Sequence, residues 1–293
     1  TVGPARGAAR WLAYGTAGAL FLGLGTVFLA LGALRLIQDL GFEAVYLTGA
    51  GLANRAFGVP DLGLVTLTEV VDAVSAITDT CSLPLIVDAD TGYGNALNVV
   101  RSVRLLERAG ASALQLEDQT FPKRCGHFDG KAVIPPDEMV AKIKAAVDTR
   151  TSSDLLIIGR TDARAVEGLD AAIARAHAYA EAGADLTFVE APLSVDEMQR
   201  ITSDLAVPQV ANMVVGGRTP LLAADDLRSL GFALVLYANV ALQAAIQAMR
   251  EVLSALRDTG TVATVLDRLA TQDSRQHLVG KPHWDHLDAR YRT

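Results

Sequence analysis

Lys123-Arg124-Cys125-Gly126-His127 surrounds a thiol with three basic side chains, six residues beyond the carboxylate Glu117. That field favours thiolate and holds a proton close by for delivery, so Cys125 reads as an acid on a mobile, glycine-bearing loop. Upstream lie Asp88-Ala89-Asp90. Three or four carboxylates can hold a hard divalent cation, and a cation beside a proton donor implies chemistry on a carboxylated, oxygen-bearing small molecule.

The chain must supply elements that bring these groups together. Apolar β-like runs at Ala44–Leu47, Leu85–Asp88, Ala113–Glu117, 155–159, 186–190, 209–212 and 233–237 alternate with amphipathic helical patterns at 66–79, 95–109, 136–149, 168–182, 194–204, 223–230 and 238–258. Short strands separated by single helices predict parallel pairing through right-handed crossovers. Gly41, Gly110, Gly183 and Gly231 each stand between a helix and the next strand, where a left-handed C-cap reverses the chain. Eight such units make an α/β fold of the (β/α)8 barrel type. Polar residues collect at the strand ends, where barrels place active sites: Tyr46, Thr48 and Gly49; Asp88 and Asp90; Glu117 and Asp118; Arg160 and Asp162; Glu190; Asn212.

The eighth strand has to come from residues 11–34, around 24–29. This stretch lacks Asp, Glu, Lys and Arg and is flanked by Arg10 and Arg35. It exceeds the roughly 20 residues that cross a bilayer, so a membrane segment is the rival reading. We expect one domain over residues 1–293, with a helical extension from about 257 that points to an oligomer. With 33 acidic and 26 basic side chains, no basic stripe offers a nucleic-acid surface. Two cysteines, Cys81 and Cys125, fit a reducing compartment, cytoplasm or mitochondrial matrix.

Each group also has a structural reading. Asp88 and Asp90 could cap the helix after Gly94; Glu117 and Glu190 could form ordinary ion pairs with Arg160 or Lys123. His127 could be a surface-loop histidine. Cys81 reads as a buried apolar thiol.

In order and spacing, the chain resembles the isocitrate lyase and phosphoenolpyruvate mutase superfamily. The carriers are Tyr46-Leu47-Thr48-Gly49-Ala50-Gly51, Pro60-Asp61, Asp88-Ala89-Asp90-Thr91-Gly92-Tyr93-Gly94, Gln115-Leu116-Glu117-Asp118-Gln119, Lys123 to His127, Arg160-Thr161-Asp162-Ala163, Val189-Glu190-Ala191 and Ala211-Asn212-Met213. The resemblance implies a barrel, Mg²⁺ or Mn²⁺, and tetramers that exchange a C-terminal helix. It implies Asp88 and Asp90 as principal metal carboxylates, with Asp61 and Glu117 reaching the ion directly or through water. Thr48, Gly49, Ala50 and Arg160 would bind a substrate carboxylate, Gly126, His127, Glu190 and Asn212 its other end, and Tyr46 would lie near the reacting hydroxyl.

The cysteine loop belongs, by the same resemblance, to the carbon–carbon lyases, with Cys125 protonating the leaving carbanion. Val214-Val215-Gly216-Gly217-Arg218-Thr219-Pro220 resembles the enzymes cleaving 2-alkylmalates or 2,3-dimethylmalate, and 2-methylisocitrate is a further candidate substrate. The alternatives are an oxaloacetate decarboxylase, a phosphonopyruvate-processing enzyme, or a non-catalytic membrane-associated barrel. One departure is present: where the superfamily has a Gly-x-(Tyr/Phe)-Asp-x-x-Ser-Ala-Arg segment, residues 25–35 lack the Asp and Ser.

Overall fold

The structure, a computed structural model, describes residues 21–24, 32–124, 126–127 and 130–292. Cys125, most of the apolar stretch 11–34 and most of the divergent segment 25–35 lie outside the described residues.

Eight parallel strands form one sheet: β1 Phe21–Leu24, β2 Ala44–Leu47, β3 Leu85–Asp88, β4 Ala113–Glu117, β5 Leu156–Thr161, β6 Leu186–Val189, β7 Val210–Asn212 and β8 Leu234–Leu236. β1 pairs with both β2 and β8, and a parallel bridge between Thr187 and Gln209 joins β6 to β7, closing the barrel. Seven strands fall where the apolar runs predict them. The first does not: it occupies Phe21–Leu24 and shares only Leu24 with the expected 24–29. An apolar run without internal charge, in which glycines recur at 15, 18, 23, 25 and 32 and mark no single boundary, leaves its register to pairing partners, here Phe21 with Leu234 and Gly23 with Ala44.

Both faces of β2 to β6 and β8 are buried, so the sequence reads there as continuous apolar runs. Alternate residues build two layers. Ala44, Tyr46, Ile86, Ala113, Ile158, Phe188, Val210 and Leu236 fill the barrel interior. Val45, Leu47, Val87, Leu114 and Ile157 pack outward against helix residues such as Val74, Val103, Met139 and Ile143.

Helix starts carry their own chemistry. Thr66 and Glu69 form a capping box before Leu67–Thr78, and Asn95 with Asn98 does so before Ala96–Ala109. Asn95, rather than Asp88 or Asp90, therefore caps the helix after Gly94, which leaves those carboxylates for another purpose. Cys81 is buried and donates to Gln38 Oε1 at 3.7 Å, as a structural thiol should.

The long helix Val240–Thr259 runs through the expected boundary near 257 and ends at Gly260, whose φ of 69° provides the left-handed cap. It buries none of its residues and exposes Ile246, Met249, Leu253 and Leu256. Short helices Gln272–Leu278 and Lys281–Tyr291 follow. Among the described residues, no helix is long and apolar enough to cross a membrane.

Candidate active site

Alternation continues past the apolar layer, so the inward positions at the C-terminal strand ends are polar. Asp88, Gln115, Glu117, Arg160, Glu190 and Asn212 follow Ile86, Ala113, Ile158, Phe188 and Val210 at intervals of two. A cavity of about 50 Å³ is lined by Tyr46, Thr48, Ala50, Asp61, Asp88, Glu117, Lys123, Gly126, His127, Arg160, Glu190 and Asn212. Two more predicted residues border this cluster. A β-carbon on Gly49 would meet Asp90 Oδ1 at 3.0 Å and Asp88 Oδ2 at 3.2 Å, so the two aspartates converge beside that backbone. The Gly49 amide donates to Asp88 Oδ2 at 3.1 Å, which engages a donor expected to face substrate.

One side of the cluster is acidic. Asp88 Oδ1 accepts from the Asp90 amide at 3.1 Å, turning the chain so that Asp90 takes a φ of 48°. Lys123 Nζ sits 2.8 Å from Asp90 Oδ1 and is also ion-paired with Asp61. Burial, with Asp88 and Asp61 close by, pushes the Asp90 carboxyl up to about 7 despite Lys123. Burial likewise raises Glu117 well above the carboxylate range, against the pull of Arg160. Burial disfavours the Lys123 ammonium, but the surrounding carboxylates outweigh it and raise its pKa. Acidic groups thus outnumber the ammonium, and burial opposes ionising all of them at once.

This donor set fits a divalent cation by its chemistry. Glu117 Oε1 is buried with no hydrogen-bond partner, and Asp90 Oδ1, close to Lys123, lies outside hydrogen-bonding geometry with it. Orphaned carboxylate oxygens are costly unless a cation claims them. Among the described residues, no three acidic or imidazole groups are drawn close enough to ligate an ion as they stand. The Lys123 ammonium occupies the space between Asp61 and Asp90, and an ion would take over its charge role.

The other side is built around Arg160. Its guanidinium contacts Glu117 Oε2 at 3.3 Å and Glu190 Oε2 at 3.3 Å, donates to Asp162 Oδ2 at 2.9 Å, and lies over the Phe188 ring. The ion pairs expected as a structural alternative for Glu117 and Glu190 thus exist with Arg160, inside the same cavity as the predicted substrate groups. Although burial opposes it, Arg160 with Lys131 holds Asp162 down to about 2. Asn212 Nδ2 donates to Glu190 Oε1 at 3.3 Å while its Oδ1 stays unsatisfied, an acceptor left for a ligand.

The loop docks onto this pair. His127 is buried, not a surface-loop histidine: its Nε2 lies 2.8 Å from Glu190 Oε1, a close contact whose angle falls short of a hydrogen bond. Gly126 has no alternative, because a β-carbon there would stand 2.4 Å from the Arg160 guanidinium and 2.5 Å from Glu190 Cγ. Gln119 clamps the loop start, accepting from the Arg124 amide at 2.9 Å and donating to its carbonyl at 2.8 Å.

Several supports escape sequence reading. Gln115 accepts from the Tyr46 hydroxyl at 3.1 Å and approaches Asp88 Oδ1 at 3.4 Å. Burial and the charge of Asp88 keep that hydroxyl neutral, raising Tyr46 well above its usual value. Lys131 donates to the Gly126 carbonyl and pairs with Asp162 at 2.7 Å. Asp118, next to Glu117 but facing outward, accepts from Thr161 Oγ1 and the Tyr179 hydroxyl, each at 2.7 Å, and from the Asp162 amide at 2.9 Å. Only inward or outward parity along β4, counted from a known register, would separate Asp118 from Glu117.

The chain is similar to proteins of one family. The phosphoenolpyruvate phosphomutase family model matches residues 24–257. A 2,3-dimethylmalate lyase of Eubacterium barkeri is 45% identical over 88% of this chain and 90% of its own. A 2-methylisocitrate lyase of Aeropyrum pernix is 45% identical over 87% of this chain and 82% of its own. Among solved structures, a 2,3-dimethylmalate lyase described as a PEP mutase/isocitrate lyase superfamily member superposes with a TM-score of 0.91 at 33% identity, covering 98% of this chain and 96% of that one. A barrel with this polar rim, matched along most of its length, belongs to the phosphoenolpyruvate mutase and isocitrate lyase superfamily of enzymes.

Proposed function

We propose that the protein is a Mg²⁺- or Mn²⁺-dependent carbon–carbon lyase that cleaves a 2-hydroxy, 2-alkyl di- or tricarboxylate, such as 2,3-dimethylmalate or 2-methylisocitrate, into a 2-oxo acid and a carboxylic acid. The observation that carries this reading is the meeting, in one cavity, of a carboxylate cluster, a buried guanidinium and the loop residues Lys123, Gly126 and His127. The names of the sequence relatives support the substrate class.

Asp88 and Asp90, with Asp61 and Glu117, would hold the cation. When bound, it supplies Lewis acidity that lowers the pKa of the substrate's C2 hydroxyl and steadies the carbonyl that replaces it. Arg160 is the charge partner for a substrate carboxylate, with Thr48 and Ala50 beside it. His127, Glu190 and Asn212 would orient the far end, and neutral Tyr46, whose hydroxyl donates to Gln115, would lie near the reacting hydroxyl. The hydroxyl proton passes to a carboxylate of the cluster, C2 becomes a carbonyl, and the C2–C3 electron pair stays on C3. Cys125 then protonates C3 from the closing loop, which excludes water while the carbanion exists.

The exposed apolar residues of Val240–Thr259 support a homo-oligomer, which we take to be a tetramer. Two cysteines support a reducing compartment, cytoplasm or mitochondrial matrix.

The test is product identification after incubation with Mg²⁺ and 2,3-dimethylmalate, 2-methylisocitrate, oxaloacetate or phosphonopyruvate. Pyruvate with propionate or succinate supports the lyase. Turnover of oxaloacetate or phosphonopyruvate alone replaces it with a decarboxylating or phosphonate-processing enzyme, and no turnover of any substrate favours the non-catalytic barrel.

A further inference from the structure

The turn that follows β7 touches the site in a way the sequence does not reveal. Val214 lines the cavity, and the Gly217 amide donates to the Val214 carbonyl at 2.9 Å, closing the turn. Gly217 lies against the His127 ring: a β-carbon there would stand 2.7 Å from Nδ1 and 2.9 Å from Cε1, and 3.0 Å from Val214 Cβ within its own turn. The next amide, of Arg218, donates to His127 Nδ1 at 3.0 Å, across 91 positions of sequence.

That bond has a chemical consequence. A neutral imidazole that accepts at Nδ1 carries its proton on Nε2, the nitrogen facing Glu190. Gly217 does not occupy the left-handed region, so its backbone accommodates alanine. Alanine would press hardest on the ring where it now lies, and less closely on Val214.

We propose that the 214–218 turn is the seat that positions His127. Gly217 leaves the space the ring occupies, and the Arg218 amide fixes the ring's tautomer and aims Nε2–H into the cavity. Gly217 is thereby a positioning residue for the loop that carries the acid. The kinetic part of this inference rests on the lyase reading; the positional part does not.

The experiment combines Gly217→Ala with His127→Ala in a double-mutant cycle and reads ¹⁵N-histidine NMR on the same proteins. In the wild type, His127 should show an acceptor-type Nδ1 and a protonated Nε2, and Gly217→Ala should shift both. The substitution should lower kcat by about 10- to 100-fold with little change in KM, as displacement of a group by about 1 Å does. With His127 already replaced, it should cost several-fold less, because the closest clash is gone and only the 3.0 Å approach to Val214 remains. Leu221→Ala, exposed just beyond the turn, should leave turnover unchanged. Equal losses with and without the ring, or unshifted histidine signals in Gly217→Ala, would overturn the seat. Should Gly217→Ala fail to fold, restored folding in the double variant supports the seat and continued misfolding refutes it. Absence of turnover in the wild type would count against the lyase reading, while the NMR comparison still decides the seat.

Discussion

Lys123 and Asp90 face each other across 2.8 Å in a buried cluster where carboxylates outnumber the ammonium. Coulombic attraction holds the pair, but it leaves Asp90 Oδ1 and Glu117 Oε1 without hydrogen-bond partners. Under the proposed function, the lysine is a monovalent placeholder that a divalent ion would outcompete.

Lys123→Met should accordingly destabilise the metal-free protein, because removing one partner of a buried pair costs about 3–5 kcal/mol. It should also make stability depend more steeply on Mg²⁺, since the ion no longer competes with the ammonium. Thermal melts in EDTA and in graded Mg²⁺ check this. Identical Mg²⁺ responses in the wild type and the variant would contradict it.

Cys125→Ser should cut cleavage by about 10²–10⁴-fold, the usual contribution of a placed proton donor. Cation uptake should stay close to wild type, because the sulfur is assigned no ligand role. Steady-state kinetics with calorimetry on the same preparation separates the two, and full turnover would remove Cys125 as donor.

Asp118→Ala tests the scaffold rather than the chemistry. It would strand the Thr161 and Tyr179 hydroxyls and the Asp162 amide, all buried and bonded to this one carboxylate. Several buried donors lost together should cost roughly 3 kcal/mol or more. Denaturant unfolding measures it, and a midpoint within error of wild type would sink the prediction.

Acid stability follows from Asp162. Its folded pKa, about 2, lies below the unfolded value near 3.9, so its contribution is present above about pH 4 and is lost as pH falls toward 2. Between those limits the unfolded chain binds more protons, and stability declines with acidification. Asp162→Asn should therefore show a shallower decline over that window, on the order of 2 kcal/mol in total. Parallel slopes for the two proteins would show that Asp162 is not held as described.

The fold was legible because strand and helix periods differ and glycines mark the reversals; β2, β3 and β4 fall on the predicted bounds. The first strand was displaced because an uncharged run with glycines scattered through it does not encode its own register. Most site residues were legible as polar groups at strand ends, including Asp88, Glu117, Arg160, Glu190 and Asn212. Partners across the barrel were not. Nothing local in Lys131, Gln115 or Gly217 announces its contact with Gly126, Tyr46 or His127, since those contacts exist only after closure brings distant strands together.

The central claim is that Asp61, Asp88, Asp90 and Glu117 close on one divalent cation. Titration of the protein with Mn²⁺, followed by electron paramagnetic resonance of the free ion, tests it most directly. The account predicts saturation at one ion per chain and strong weakening in Asp88→Ala. A wild type that takes up no Mn²⁺, or an Asp88→Ala variant that binds it unchanged, would contradict it.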